Sequence, residues 1–144
     1  MAGYVRLAVM HALMALSFMM WPPFLFLSAG ALAMLYISGF TRPFKAGLWK
    51  PYHWLVLTHL LFFPAAISTG VLWSNHDRRM ISPAEGRALI GLQVMFYASL
   101  ASSGFWIWRM KGFRWFAAGL MMLLELAIAG AVFIAGMSVS GDWL

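Results

Sequence analysis

The sequence predicts an all-α fold, a polytopic transmembrane helical bundle, and three observations carry that prediction. Composition is the first. Of 144 residues, 63% are hydrophobic and 10% charged, and the mean hydropathy is +0.82. Soluble domains run at about 45–50% apolar and about 25% charged, so a water-facing surface could not be made from this chain. The second is patterning: long apolar runs alternate with short clusters of Lys and Arg, the arrangement that orients membrane helices. The third is the lack of any polar stretch long enough for a soluble domain, and of any internal repeat or low-complexity tract. Residues 1–144 therefore read as one integral membrane domain.

The elements follow in order. An apolar run from residue 4 to residue 40 is interrupted only by Trp21-Pro22-Pro23. As one straight helix it would be roughly 55 Å long at 1.5 Å per residue, against a hydrocarbon core of ~30 Å. Two prolines remove two backbone donors and disfavour helix at the residue before them. We read two spans, 4–20 and 23–39, joined by a tight turn, which gives five spans in all; if Trp21-Pro23 is only a kink in one long helix, the number is four. Arg6, the apolar run and Ala31-Leu32-Ala33 have the order of a secretory leader, but the segment is read as a retained span. A polar loop with Arg42, Lys45 and Lys50 leads into the third span, 52–74. This stretch carries His53, His59, Thr58, Pro64 and Ser68-Thr69-Gly70 within apolar surroundings, and we expect the rest of the chain to be arranged around it. After the loop 74–86, Ser82-Pro83-Ala84-Glu85 reads as an N-cap, a proline at the first helical position and an early acid, so the fourth span is set at 84–108. A basic turn with Arg109, Lys111 and Arg114 precedes the fifth, 113–137.

With five spans, Arg6, Arg42, Lys45, Lys50, Arg109, Lys111 and Arg114 share one side, and Arg78, Arg79 and Arg87 lie on the other. The positive-inside rule then places the N-terminus in the cytoplasm, in what we expect to be a bacterial cytoplasmic membrane. Trp21, Trp49, Trp54, Trp73, Trp106, Trp108 and Trp115 fall near span ends, as an interfacial belt does. The net charge of +6 is spread through these clusters and forms no basic stripe, so nucleic-acid binding is not expected. With no cysteine there is no disulfide, iron–sulfur or zinc–thiolate chemistry. No phosphate-binding loop, zinc-protease helix, nucleophile elbow or pair of catalytic carboxylates occurs, and the chain is not expected to be an enzyme on its own.

Polar residues inside the spans are the candidate functional residues, because each is costly in lipid. In the five-span reading His11 and His59 each lie roughly 10 Å inside the same face, at 1.5 Å per residue, a matched depth that suits the two axial ligands of a b-type haem. His53 is nearer the interface and, with α-helical spacing, points to a different side from His59; it is a weaker ligand candidate or a headgroup anchor. The bland alternative is that these histidines bond to groups on neighbouring helices. Glu125, in the middle of the last span, must face the bundle, be protonated or have a partner. It shares a helical face with Ala118, Ala129 and Gly136, and Ser99, Ser102 or Ser103 could satisfy it. Gln93 and Tyr97, one turn apart, are candidate linings of a quinone or lipid-headgroup pocket. Pro64 predicts a kink. In the 74–86 loop, His76-Asp77 is a candidate metal or proton site.

His53-Trp54 followed by Thr69-Gly70 resembles the first haem-bearing helix of membrane cytochrome b subunits of the b561 and hydrogenase type. Lys50 stands where that pattern expects an arginine, and the last two spans hold no histidine, whereas those families supply further ones there. The resemblance implies haem b as cofactor; a quinone is the alternative that the polar residues within the spans allow. The functional expectation is a small non-catalytic integral subunit of a larger membrane assembly, an electron-transfer complex of the respiratory or photosynthetic kind, partnered by the lipid bilayer and other membrane subunits. One alternative makes the chain itself a haem- or quinone-binding anchor using His11 and His59. Another is a small proton-coupled transporter using Glu125.

Overall fold

The computed structural model describes residues 2–75 and 80–142, and all regular structure within them is helical. Helix α1 is Ala2–Ser17, followed by a 3-10 turn, Phe18–Met20. Then come α2 (Pro22–Ile37) and the single turn α3 (Arg42–Lys45). A 3-10 helix, Pro51–Leu61, passes directly into α4 (Phe62–Leu72). Helix α5 is Pro83–Arg109, and after a 3-10 turn, Lys111–Phe113, α6 is Arg114–Ser140. Among the described residues five helical segments are long and apolar enough to cross a membrane: Gly3–Met20, Pro22–Lys45, Pro51–Leu72, Pro83–Arg109 and Lys111–Ser140.

Local chemistry explains the boundaries. Ser82 accepts from the Glu85 backbone N–H at 3.3 Å while the Ser82 N–H donates to Glu85 Oε2 at 2.6 Å, closing a capping box over Pro83 at the first helical position. Pro22 and Pro23 occupy the first turn of α2, where their missing donors cost nothing, and Trp21 before them is extended (φ −61°, ψ 140°). Helix α6 ends on Gly141 in the left-handed region (φ 75°), the conformation glycine adopts at helix C-termini without steric cost.

Helix α6 is the centre of the bundle: α1, α2, α4 and α5 all pack on it. We expected the 52–74 span at that position; the chain gives the place to the helix richest in Ala and Gly, because small residues let backbones come close in lipid. A Cβ on Gly119 would lie 2.7 Å from the Ala31 carbonyl oxygen, one on Gly70 2.7 Å from Ala135 Cα, and one on Gly130 would collide with the Ala15 carbonyl.

The first two helices lie end to end along α6. Ala15 and Phe18 meet Gly130, Phe18 also stacks on Phe133, Ala31 and Leu35 meet Gly119, and Phe40 packs on Phe116. Both helices thus run antiparallel to α6, one after the other, and make little contact with each other. The tight turn expected at Trp21-Pro23 is a break in a chain that keeps its direction, which is the kinked alternative. The far end of the bundle confirms the polarity. Gly3, Tyr4, Arg6 and Leu7 line one cavity with Val71, Leu72 and Ser74, and the Asn75 N–H donates to the Ser138 carbonyl at 2.8 Å. The N-terminus therefore shares an end with the C-terminal parts of α4 and α6, opposite the basic loops, and not the end expected for it. Trp21, tilted against Phe18 at 5.2 Å, consequently lies part-way along the length of the bundle, half exposed on its side, and outside any interfacial belt. Trp49, Trp54, Trp106, Trp108 and Trp115 gather at the basic end, in or next to the loops that carry Lys50, Lys111 and Arg114.

Candidate functional site

Glu125 projects from the middle of α6 toward α5 and the 3-10 helix. Ser103 Oγ donates to its Oε1 at 2.7 Å and Ser99 Oγ to its Oε2 at 2.9 Å. These serines are four residues apart and so stack on one face of α5. His59 closes the cluster, with Nε2 3.1 Å from Glu125 Oε1. The same Nε2 is 3.3 Å from Ser103 Oγ, and Nδ1 is 3.3 Å from Ser102 Oγ. His59 and Ser99 are fully buried and Ser103 nearly so. Five polar side chains from three segments thus satisfy one another in an apolar surround. With Glu125 ionised, the arrangement assigns the imidazole proton to Nε2, donating to the carboxylate, and leaves Nδ1 to accept from the Ser102 hydroxyl.

The helix carrying His59 decides the geometry. A 3-10 helix has three residues per turn, so residues three apart eclipse. His53, Val56 and His59 accordingly form one buried line. His53 was expected on a different side of its helix from His59; that expectation used α-helical spacing, and the observed winding overturns it. The two histidines are still separated by about 12 Å along the axis at about 2.0 Å per residue. His53 packs among Trp49, Tyr52 and Phe113 at the basic end, and its Nδ1 accepts the Lys50 N–H at 2.9 Å. Pro64 is the third residue of α4, in the first turn, where its missing N–H is tolerated. The kink predicted there takes the form of a change from 3-10 to α winding.

His11 is fully buried, but the fold does not bring it to His59. Because α1 runs antiparallel to α6 and Ala15 sits at Gly130, His11 lies one turn farther toward the terminal end, whereas His59 is at Glu125. The two are roughly 13 Å apart in depth at 1.5 Å per residue. The matched depth read from the sequence required both helices to start at the same face; they start at opposite faces. Gln93 and Tyr97 are exposed on the outward side of α5, away from Ser99 and Ser103. The small residues expected beside Glu125 are not where close approach occurs: a Cβ on Gly136 would meet open space, and the tight contacts belong to Gly119 and Gly130 on another face of α6. His76-Asp77 lies outside the described residues. Among the described residues no group of three or more His, Asp or Glu is placed to hold a metal ion.

Compared with family models, curated proteins and solved structures, the chain matches none.

Proposed function

We propose that the chain is a small proton-coupled membrane carrier whose exchangeable proton resides on the His59–Glu125 pair. The observation that supports this is the 3.1 Å approach of an imidazole to a carboxylate at mid-depth of the bundle. A lone ionised carboxylate there would cost a few kcal/mol, and ionisable chains of Glu and His inside membranes are characteristic of proton relays. Imidazole and carboxylate share a proton over a short distance, and the Ser99, Ser102 and Ser103 hydroxyls rotate to donate or accept without moving a heavy atom. The 3-10 helix supplies a candidate moving part. Rewinding Pro51–Leu61 to α geometry would turn each residue by about 20° relative to the next, carrying His59 away from Glu125 by about 60° with α4 held still. The test is infrared spectroscopy of the chain in lipid across about pH 4 to 9. A carboxyl C=O band that titrates, shifts in heavy water and disappears in Glu125→Gln is expected. A carboxyl fixed in one protonation state across that range ends the reading.

Membership of a larger membrane assembly is a separate proposal, supported by Gln93. It lies about 15 Å inside α5 at 1.5 Å per residue, and an amide exposed there calls for a helix from another chain to pair with it. Migration as a single chain in mild detergent would count against it. The electron-transfer part of that expectation rested on His11, His59 and the His53-Trp54 and Thr69-Gly70 dipeptides; the separation of His11 from His59 in depth takes away the support of that pair.

A further inference from the structure

A second site lies at the basic end, remote from Glu125 and independent of the reading given to it. His53, with 3% of its surface exposed, lines a cavity of about 360 Å³ together with Lys50, Tyr52, Trp108, Arg109 and Lys111. Its Nδ1 accepts the Lys50 backbone N–H at 2.9 Å, so in the neutral ring the proton is on Nε2. That Nε2 is buried and has no hydrogen-bond partner among the described residues. The Trp49 ring, 5.5 Å from the His53 ring, carries a second buried N–H in the same position: Nε1 has no acceptor. Buried donors almost always have a partner; one orphan in the pocket wall, with a second on the ring packed against it, is an unfilled demand for an acceptor.

The cations beside them make the same demand. Arg109 lies over the Tyr52 ring at 5.0 Å and Lys111 over the Trp108 ring at 5.6 Å, so both hold positions over aromatic faces and leave their N–H groups available. Among the described residues neither these cations nor Lys50 pairs with a carboxylate; the one ion pair is His59–Glu125. Among the described residues the acids are all elsewhere: Glu125 is committed to His59, and Glu85 and Asp142 lie at the other end of the bundle. A wall of donors with three positive charges and, among the described residues, no carboxylate is complementary to an anion with several oxygens. A guanidinium fork, an ammonium and an imidazole N–H are the groups that bind phosphate. Basic pockets between membrane helices at one bilayer surface are also where anionic headgroups are held.

We propose that this cavity binds a phosphate group through His53 Nε2, Arg109, Lys50 and Lys111, carried either by an anionic lipid headgroup or by a soluble phosphate. The test uses the full chain in neutral detergent micelles, titrated in separate arms with short-chain phosphatidylglycerol and with inorganic phosphate. The readouts are the dissociation constant and the ¹⁵N–¹H resonance of the His53 side chain. Saturable binding that moves the His53 Nε2 resonance is expected in at least one arm. It should weaken tenfold or more in Arg109→Gln and in Lys50→Gln, exposed substitutions that leave the buried imidazole in place. Binding in the lipid arm alone assigns a headgroup, and binding of inorganic phosphate assigns a soluble ligand. If the His53 resonance is unmoved in both arms, or both variants bind as the parent does, the proposal is overturned. Titration of Glu125 is unaffected by any of these results.

Discussion

At the scale of single residues, the polar cluster and the helix contacts obey one rule: in lipid, polar atoms need partners and backbones need small neighbours. Glu125 has Ser99 on one oxygen, and Ser103 and His59 on the other. Part of this is readable from sequence. A carboxylate in the middle of an apolar run must face protein, and serines four apart on the preceding span are a face that can meet it. The pairing with His59 is less legible, because the α-helical rise underestimates the depth that a 3-10 winding gives it. Eight residues from Pro51 at about 2.0 Å each bring His59 to about 16 Å, level with Glu125 eleven residues into α6 at about 1.5 Å each. At the α-helical rise His59 falls about 4 Å short. The backbone contacts make a sharper prediction. Val at Gly130 would collide with the Ala15 carbonyl, and backbone cannot step aside as a flexible side chain can. Gly130→Val should therefore destabilise the bundle by about 1–3 kcal/mol, the usual cost of overpacking. Gly91→Ala, where a Cβ meets open space, should be neutral or stabilising by up to about 1 kcal/mol through helix propensity. Unfolding titrations in mixed micelles check both; equal effects would mean that α1 does not pack on α6 as described.

At the scale of elements, two features separate what a sequence specifies from what packing decides. The capping box at Ser82-Pro83-Glu85 is local, and local chemistry fixed it in advance. Trp21-Pro22-Pro23 is local too, but it specifies only a break. Proline sets its own φ and pushes the preceding residue to an extended ψ; whether the next helix reverses or continues depends on where its apolar face finds cover. Helix α6, at 27 residues, is about 40 Å long at 1.5 Å per residue. It offers Gly130 to α1 and Gly119 to α2 in succession, so the two halves share one helix between them and do not pair with each other. The 3-10 helix is the opposite case. Its eleven residues exceed the three or four usual for that winding, and an α-helical period remains the sound first reading of any apolar run. The clue was the spacing His53, Val56, His59, a period of three in the residues that are buried.

At the scale of the whole molecule, the end-to-end arrangement of α1 and α2 has a consequence for membrane orientation. Arg42, Lys45, Lys50, Arg109, Lys111 and Arg114 gather at one end, with Arg6 and Arg87 at the other. The positive-inside rule predicts a cytoplasmic position for the first group. Both termini are then expected on the opposite side, because in this arrangement the chain passes along the bundle axis an even number of times: through α1 and α2 together, through the 3-10 helix and α4, through α5, and through α6. Two antiparallel spans in place of the first passage would put the termini on opposite sides, so sidedness discriminates the two arrangements. The chain has no cysteine, so single introduced thiols report without background. In intact cells a membrane-impermeant maleimide should label Gly3→Cys and Asp142→Cys alike, and should label Lys45→Cys only after permeabilisation. Labelling of Asp142→Cys and Lys45→Cys from opposite sides with Gly3→Cys following Lys45 would mean five crossings. It would also return His11 to the face from which His59 enters and reopen the possibility of a shared ligand between them.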